Sequence, residues 1–402
     1  MLIWLSAGIC LALVAIIFIL WKWGNLRMIG VTPVKTFTFI AILFTSGLDV
    51  GLIMFPLTEF NRYSTQADYE FTNPLAIEFG FWGFFIWAFY FLTCFYFCII
   101  EPKVKFFEIR WVQLLNNVVI IGTCAFTAFL LLKNLPWYLP SLGDGKSIEP
   151  SFYLIVFTAI AFAVYSSTEL KYVRILSLSS TVLFLGLIAY MWGSAFVWGN
   201  SHISQYFAEE SLLSGYFENI QHFLFPINKY HAFYLFWWLA WSVMIGQFTA
   251  RFAGGLRTWQ LLAAMLVFPS IPIALWFGVL WHYHQAHIAT TGIRNLMMVF
   301  VGILFVVNSL DSLIRLYTDN LKLSQQRLGS RNYFLLNFGG LVALTLLFKI
   351  DFIKIQWVGA LVIGLFYSCL AYILYKKFNS VSHITSSPKE NTLNFDKFNL
   401  SH

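Results

Sequence analysis

The chain is predicted to be an all-α integral membrane protein of about eleven transmembrane helices. Three observations predict this. Hydrophobic residues make up 59% of the 402 residues and charged residues 11%, and the mean hydropathy is +0.73, whereas a soluble domain carries about a quarter charged residues. Eleven apolar segments follow one another, each close to the ~20 residues that cross a ~30 Å hydrocarbon core. The loops between them alternate in charge, as loops on opposite sides of a membrane do.

The segments are 3–20, 36–55, 75–100, 111–132, 151–168, 175–197, 232–250, 259–281, 293–316, 333–348 and 355–375. The first apolar run starts at Leu2 with no basic stretch before it and no small-residue cleavage site after it, so a retained helix is expected and not a signal peptide. Loop charge sets the expected orientation. Lys22, Arg27 and Lys35 follow the first segment, Lys103, Lys105 and Arg110 the third, Lys171 and Arg174 the fifth, and Arg251 and Arg257 the seventh. Arg315, Lys322, Arg327 and Arg331 close the ninth, and Lys376 and Lys377 the last. The other side carries Glu59, Arg62, Asp68 and Glu70, then Asp144 and Glu149, then Glu209, Glu210 and Glu218. The pattern puts the N-terminus outside and the C-terminus in the cytoplasm of a multi-pass protein of the cell inner (plasma) membrane.

The net charge of +7 is dispersed over short loops, so lipid and not nucleic acid is the expected large partner, and no cofactor is implied. Cys10, Cys94, Cys98, Cys124 and Cys369 all fall inside apolar segments and read as free thiols. Residues 1–378 form one transmembrane domain. The longest outer loop, 200–230, mixes aromatic and charged residues and is expected to hold an interfacial helix. The tail 379–402 is polar, sparse in aromatic residues, and expected to be disordered.

Three segments are chemically unusual. The second holds Gly47-Leu-Asp49-Val-Gly51 and then Pro56, a break that frees backbone groups to bind a ligand or ion. Asp49 sits inside that break, and an isolated intramembrane carboxylate costs ~2.5–3.5 kcal/mol or more on insertion scales, so it is a functional candidate; a carboxyl bonded to neighbouring helices for structure is the plainer alternative. The seventh carries Trp237, Trp238 and Trp241 within five positions, two to three turns before Arg251, which puts the rings at mid-membrane depth and away from the interfaces that tryptophan favours. Aromatic faces at that depth suit a desolvated cation, although bulky side chains also simply pack. The third reads Trp82-Gly83-Phe-Phe-Ile-Trp87-Ala-Phe-Tyr90, with Trp87 and Tyr90 on one face and Gly83 open to close approach by another backbone.

Taken together, these segments resemble the betaine/choline/carnitine transporter family, whose motifs include W-G-x-x-x-W-x-x-Y in one helix and W-W-x-x-W in another; both spacings are matched without a gap. Gly47-Leu-Asp49-Val-Gly51-Leu-Ile-Met-Phe55-Pro-Leu-Thr-Glu59 looks like the family's G-x-G-x-G-L-x-F-x-x-x-x-E stretch, and Phe305-Val-Val-Asn308-Ser309-Leu-Asp311-Ser312 is close to its F-x-x-T-S-x-D-S. The four stretches come in the family's order, each on its own segment. The departures are informative. The family typically has twelve spans, and the helix that would precede residue 3 is missing, which on this reading explains the odd count and the outside N-terminus of a shortened member. Asp49 replaces the middle glycine, whereas choline-type members tend to carry an acid at the position of Gly51. The tryptophan helix continues with Val243-Met244 in place of Pro-Phe, and Asn308 replaces the threonine of the Thr-Ser pair.

The resemblance implies a five-plus-five inverted repeat (LeuT-type fold), about 36–197 and 231–376, with one extra N-terminal helix outside both. It implies uptake of a quaternary-ammonium compound of the choline, glycine betaine or carnitine type, coupled to a sodium or proton gradient, and a possible homotrimer. Trp82, Trp87, Tyr90 and Trp238 would form an aromatic box, with Trp237 and Trp241 lining the path beside it and Asp49 at the break. Thr45, Ser46 and Leu48 would face Phe305, Asn308 and Ser309 around a first cation, and Thr123 and Thr127 keep the hydroxyl spacing of a second site whose usual aromatic partner is here Met244. Other readings are a substrate/product antiporter, a non-transporting sensor of the same fold, and a channel, which an occluding aromatic pocket disfavours. An enzyme reading rests on His282-Tyr-His284-Gln-Ala-His287 alone; this is a possible metal cluster at a helix end, and the chain is read as not an enzyme.

Overall fold

The computed structural model describes residues 1–385. The chain is mostly helical, and its surface is inverted relative to a soluble protein. Large apolar side chains such as Ile17, Leu154, Phe162 and Val182 are exposed, while Asp49, Glu78, Asp311, Asn308 and Ser309 are buried. An apolar exterior of this extent marks a lipid-facing surface.

Among the described residues, eight helical stretches are long and apolar enough to cross a membrane: Leu2–Trp23, Pro74–Val104 (interrupted at Gly83), Arg110–Tyr138, Lys171–Phe196, Thr258–Gln285 (two helices, Thr258–Val267 and Ser270–Gln285), Ile293–Leu321, Ser330–Lys349 and Ile355–Ser382. The other three apolar segments differ from a plain span, each for its own reason. The second is split into Thr36–Gly47 and Val50–Met54, because Leu48 and Asp49 adopt extended backbone. The fifth, Pro150–Ser166, has 17 residues. The seventh, Lys229–Thr249, has 21 residues with polar side chains at both ends.

Two expectations need correction. The third segment is not one helix: Pro74–Trp82 stops at Gly83, a short turn Phe84–Ile86 follows, and Trp87–Phe95 resumes. Gly83 therefore marks a second break and not an approach by another backbone. Its freed groups are satisfied from afar, the Phe84 N–H by Ser270 Oγ at 2.7 Å and the Phe81 carbonyl by Trp238 Nε1 at 2.8 Å. Within this all-α fold the loops Arg27–Ile29 and Gly254–Arg257 pair as two short antiparallel strands. The expected disorder from residue 379 fails at its start, where Phe378–Ser382 is helical and Val381 is buried; the expectation for 386–402 lies outside the described residues. In the loop 200–230 the chain forms Ile203–Glu210, Ser214–Glu218 and Ile220–Phe223.

Contacts between loops sort them into two ends of the bundle. At one end Arg27 pairs with Arg257, Arg251 meets Asp319 at 2.8 Å, and Gln113 donates to the Asn320 carbonyl at 2.9 Å. At the other, His282 meets Glu209 at 2.9 Å, Asn73 donates to the Leu212 carbonyl at 2.8 Å, and Asn295 donates to the Tyr138 carbonyl at 3.0 Å. The first set joins the basic loops around Arg27, Arg110, Arg251 and Arg257, and the second the loops that hold Asp68, Asp144 and Glu209.

Candidate functional site

The site is built on the break in the second segment. The extended backbone at Leu48 and Asp49 leaves the Gly47 and Leu48 carbonyls without helix donors, while the Asp49 carbonyl accepts from the Leu52 N–H; a buried carbonyl without a partner costs about 1–3 kcal/mol. Side chains from other segments supply the donors. Tyr90 donates to the Gly47 carbonyl at 2.9 Å, and Ser309 donates to that of Leu48 at 2.7 Å. Beyond the break, Trp276 Nε1 donates to the Leu52 carbonyl at 3.0 Å and Tyr138 to that of Met54 at 2.8 Å. The break is thereby held by the third, ninth, eighth and fourth segments. Asp49 caps the short helix that follows: Oδ1 accepts from the Gly51 N–H at 2.7 Å, and Oδ2 is buried with no partner.

The aromatic residues gather at the two ends of this break. At one end Trp82 lies edge-on to Trp238 (ring centroids 5.0 Å, 77°) and to Trp237 (5.5 Å, 85°), and Trp237 stacks on Trp238 (4.8 Å, 8°). Trp82 covers Gly51 so closely that a Cβ there would run into its ring. At the other end Trp87 and Tyr90 pack edge-on at 5.2 Å and cover Gly47, where an added Cβ would lie 3.3 Å from Trp87 and 3.1 Å from Tyr90. Trp82, Trp87, Tyr90, Trp237, Trp238 and Trp241 are all buried. Of the five indoles only Trp238 has an acceptor; the N–H groups of Trp82, Trp87, Trp237 and Trp241 have none.

Of the first proposed ion-binding set, Thr45, Ser46, Leu48, Asn308 and Ser309 are brought together, while Phe305 packs one turn away. Ser309 lies 3.4 Å from the Thr45 carbonyl as well as against Leu48, Asn308 Nδ2 is 3.4 Å from Ser46 Oγ, and Phe305 packs edge-on against Phe44 at 6.0 Å. Ser46 Oγ is also 3.0 Å from Ser312 Oγ, and Asn308 Oδ1 accepts from Ser177 at 3.3 Å. Thr123 and Thr127 are buried elsewhere on the fourth segment, their hydroxyls turned back to Val119 and Thr123. His282 lies between Glu209 and Ser201, at 2.9 and 2.8 Å, while His284 stacks on Trp281. Among the described residues no three metal-ligating side chains converge.

Sequence reasoning passed over Trp276, Tyr138, Ser177 and Glu78. Glu78 alone left a signal, as a carboxylate inside an apolar segment.

No family model matches the chain. It is similar to the glycine betaine transporter OpuD of Bacillus subtilis, 24% identical over 288 residues, which cover 60% of this chain and 53% of that protein. It is also similar to an uncharacterized transporter of Haemophilus influenzae (25% over 307 residues; 64% of this chain, 43% of that one). A third similarity is to an uncharacterized transporter of Mycobacterium tuberculosis (21% over 302 residues; 64% and 50%). The chain spans about half the length of the curated relatives it matches. With its lipid-facing helices and buried polar centre, it is a multi-pass membrane protein similar to transporters.

Proposed function

We propose that the chain is a secondary active transporter of the betaine/choline/carnitine type, taking up a quaternary-ammonium compound by alternating access. The observation that carries this reading is the buried aromatic cluster around a broken helix, with the unpartnered Asp49 oxygen inside the break. A quaternary ammonium offers no hydrogen-bond donor, so ring faces and a carboxylate are its suitable partners. The similarity to a glycine betaine transporter supports the substrate class. The carbonyls of Thr45 and Leu48 with Ser309 and Asn308 are hard oxygen ligands suited to sodium; Thr123 and Thr127 are the weaker second candidate. Two inverted repeats, 36–197 and 231–376, would carry the two halves of the motion, within a possible homotrimer.

Two features pull the substrate choice apart. An ionised Asp49 attracts a net cation such as choline and repels the carboxylate of a zwitterion. The indole N–H groups of Trp87, Trp237 and Trp241, which have no acceptor, favour a substrate that brings a carboxylate, as glycine betaine and carnitine do. The deciding experiment is uptake of labelled choline, glycine betaine and carnitine into proteoliposomes, with sodium and pH gradients imposed separately. Accumulation of one of them under one gradient is expected. Exchange without accumulation makes the protein an antiporter, and binding without movement makes it a sensor.

A further inference from the structure

Glu78 lies one turn before Trp82, on the side of the acidic outer loops, and is fully buried. Tyr63 donates to its Oε2 at 2.7 Å, while Oε1 has no partner. The Trp82 indole lies beside it, and the N–H of that indole is unpartnered too. Among the described residues no ion pair reaches Glu78. The titratable groups facing it are Tyr63 and Glu59 from Pro56–Thr65, Tyr138 from the fourth segment and Tyr234 from the seventh. The eighth segment, Ser211–Leu213, Ser214–Glu218 and Ile220–Phe223 also pack on its helix; of their histidines, His282 is held by Glu209 and Ser201 and His222 stacks on Phe71.

A buried carboxyl with one free oxygen and no cation nearby must stay neutral or take a positive charge. The surroundings decide which ligand fits. Sodium needs several oxygens, and here one is free among rings, with Phe81 5.6 Å from Tyr63 and 4.9 Å from Tyr234. A quaternary ammonium needs volume, and Trp82 is wedged between Gly51, Trp237 and Trp238. A proton needs one lone pair and no space.

Resting on the transport reading above, we propose that Glu78 binds the proton coupled to transport, at the outer entrance to the aromatic cluster. The free Oε1 lone pair takes a proton from an outer hydronium, whose O–H bond breaks to leave water; the reverse step on the inner side returns it. Glu59 offers the approach. It stands one turn before Tyr63 on the same helix face, is paired with Arg62 at 3.0 Å, and its side chain is 15% exposed. The link to substrate runs through Trp82. An ionised Glu78 draws the indole N–H toward itself, and protonation releases the ring that covers Gly51 and, through it, Asp49.

The test compares the unaltered protein with Glu78→Gln, whose amide oxygen keeps the bond from Tyr63. In proteoliposomes, uptake driven by an inward pH gradient without sodium is measured beside substrate counterflow at equal pH, which moves no net proton. The proton role requires loss of the pH-gradient response in Glu78→Gln while counterflow persists at a lower rate, together with loss of substrate-driven alkalinisation of the outer medium. Retention of the pH-gradient response overturns it, as does an unaltered protein that ignores the pH gradient. So does loss of counterflow in both Glu78→Gln and Tyr63→Phe, since a structural clasp then suffices. If the unaltered protein shows no counterflow with any of the three compounds, the transport reading itself fails and this inference with it.

Discussion

Asp49 does two separable things, because its two oxygens have different surroundings. Oδ1 caps the helix Val50–Met54 through Gly51, and Oδ2 is free. Asp49→Asn keeps an acceptor for the cap and removes the charge. At an effective dielectric of about 20, unit charges about 4 Å apart attract by about 4 kcal/mol before desolvation, so even a fraction of this is more than about tenfold in affinity. Uptake kinetics of Asp49→Asn are therefore expected to show at least about a tenfold rise in KM for choline, and little change or a gain for glycine betaine. Equal losses for both would leave Asp49 a structural cap. The indoles give the converse test. Trp237→Phe keeps a ring and deletes an unpartnered N–H; if that group meets a substrate carboxylate, glycine betaine uptake weakens while choline uptake does not. Truncating rings outright, as in Trp82→Leu with Trp238→Leu, removes contacts worth ~0.5–2 kcal/mol each and is expected to weaken either substrate roughly 5- to 1,000-fold. Gly51→Ala drives a methyl into Trp82. Overpacking of this kind costs about 1–3 kcal/mol, and binding is expected to fall further than expression does.

At the scale of elements, the break at 48–49 was legible because glycine, aspartate and proline within ten residues contradict a helix that must cross lipid. The break at Gly83 was not. A single glycine is tolerated in a helical pattern, the run 75–100 is apolar on every face, and the groups that satisfy its backbone come from Ser270 and Trp238, far along the chain. Trp276 and Tyr138 escaped for the same reason, since one donor on an apolar helix has no spacing to announce it. Their role is measurable: Trp276→Phe keeps the ring, leaves the Leu52 carbonyl without its donor, and is expected to lower stability by about 1–3 kcal/mol in a thermal-shift assay in detergent. Of the residues in the aromatic motifs, Trp82, Trp237 and Trp238 pack together at one end of the break and Trp87 and Tyr90 at the other. The loop helix Ile203–Glu210 carries a pH dependence of its own. Burial raises the Glu210 carboxyl from 4.5 to about 7, and a hydrogen bond with Tyr206 pulls it partly back. The packed helix thus holds the proton more tightly than the released one, so packing loses stability as pH rises from about 4.5 through about 7 and changes no further above. Hydrogen exchange across 203–210, corrected for the intrinsic effect of pH, is expected to speed up over that window in the parent protein and to do so less steeply in Glu210→Gln, where Glu209, also raised by burial beside His282, still titrates.

At the scale of the whole molecule, loop charges assigned the loops to two sides before any helix was placed, and the contacts between loops sort them the same way. Arg251 with Asp319 and Arg27 opposite Arg257 hold one end together, and His282 with Glu209 and Asn73 with Leu212 hold the other. Contacts give the sorting but not its sense, since a bundle turned over would keep every one of them. The sense comes from lysine and arginine, which are retained on the cytoplasmic side when they flank short loops. The basic end should therefore be inside and both Lys146 and the helix Ile203–Glu210 outside. Two exposed positions test this, Lys146 in the loop before Pro150–Ser166 and Gln326 in the helix Gln325–Leu328. In a background with Cys10, Cys94, Cys98, Cys124 and Cys369 replaced, Lys146→Cys is expected to react with a membrane-impermeant maleimide on intact cells. Gln326→Cys should react only after permeabilisation. The reverse pattern would turn the molecule over, put Glu78 and Glu59 on the cytoplasmic face, and make the route past Tyr63 the exit for a proton instead of its entrance.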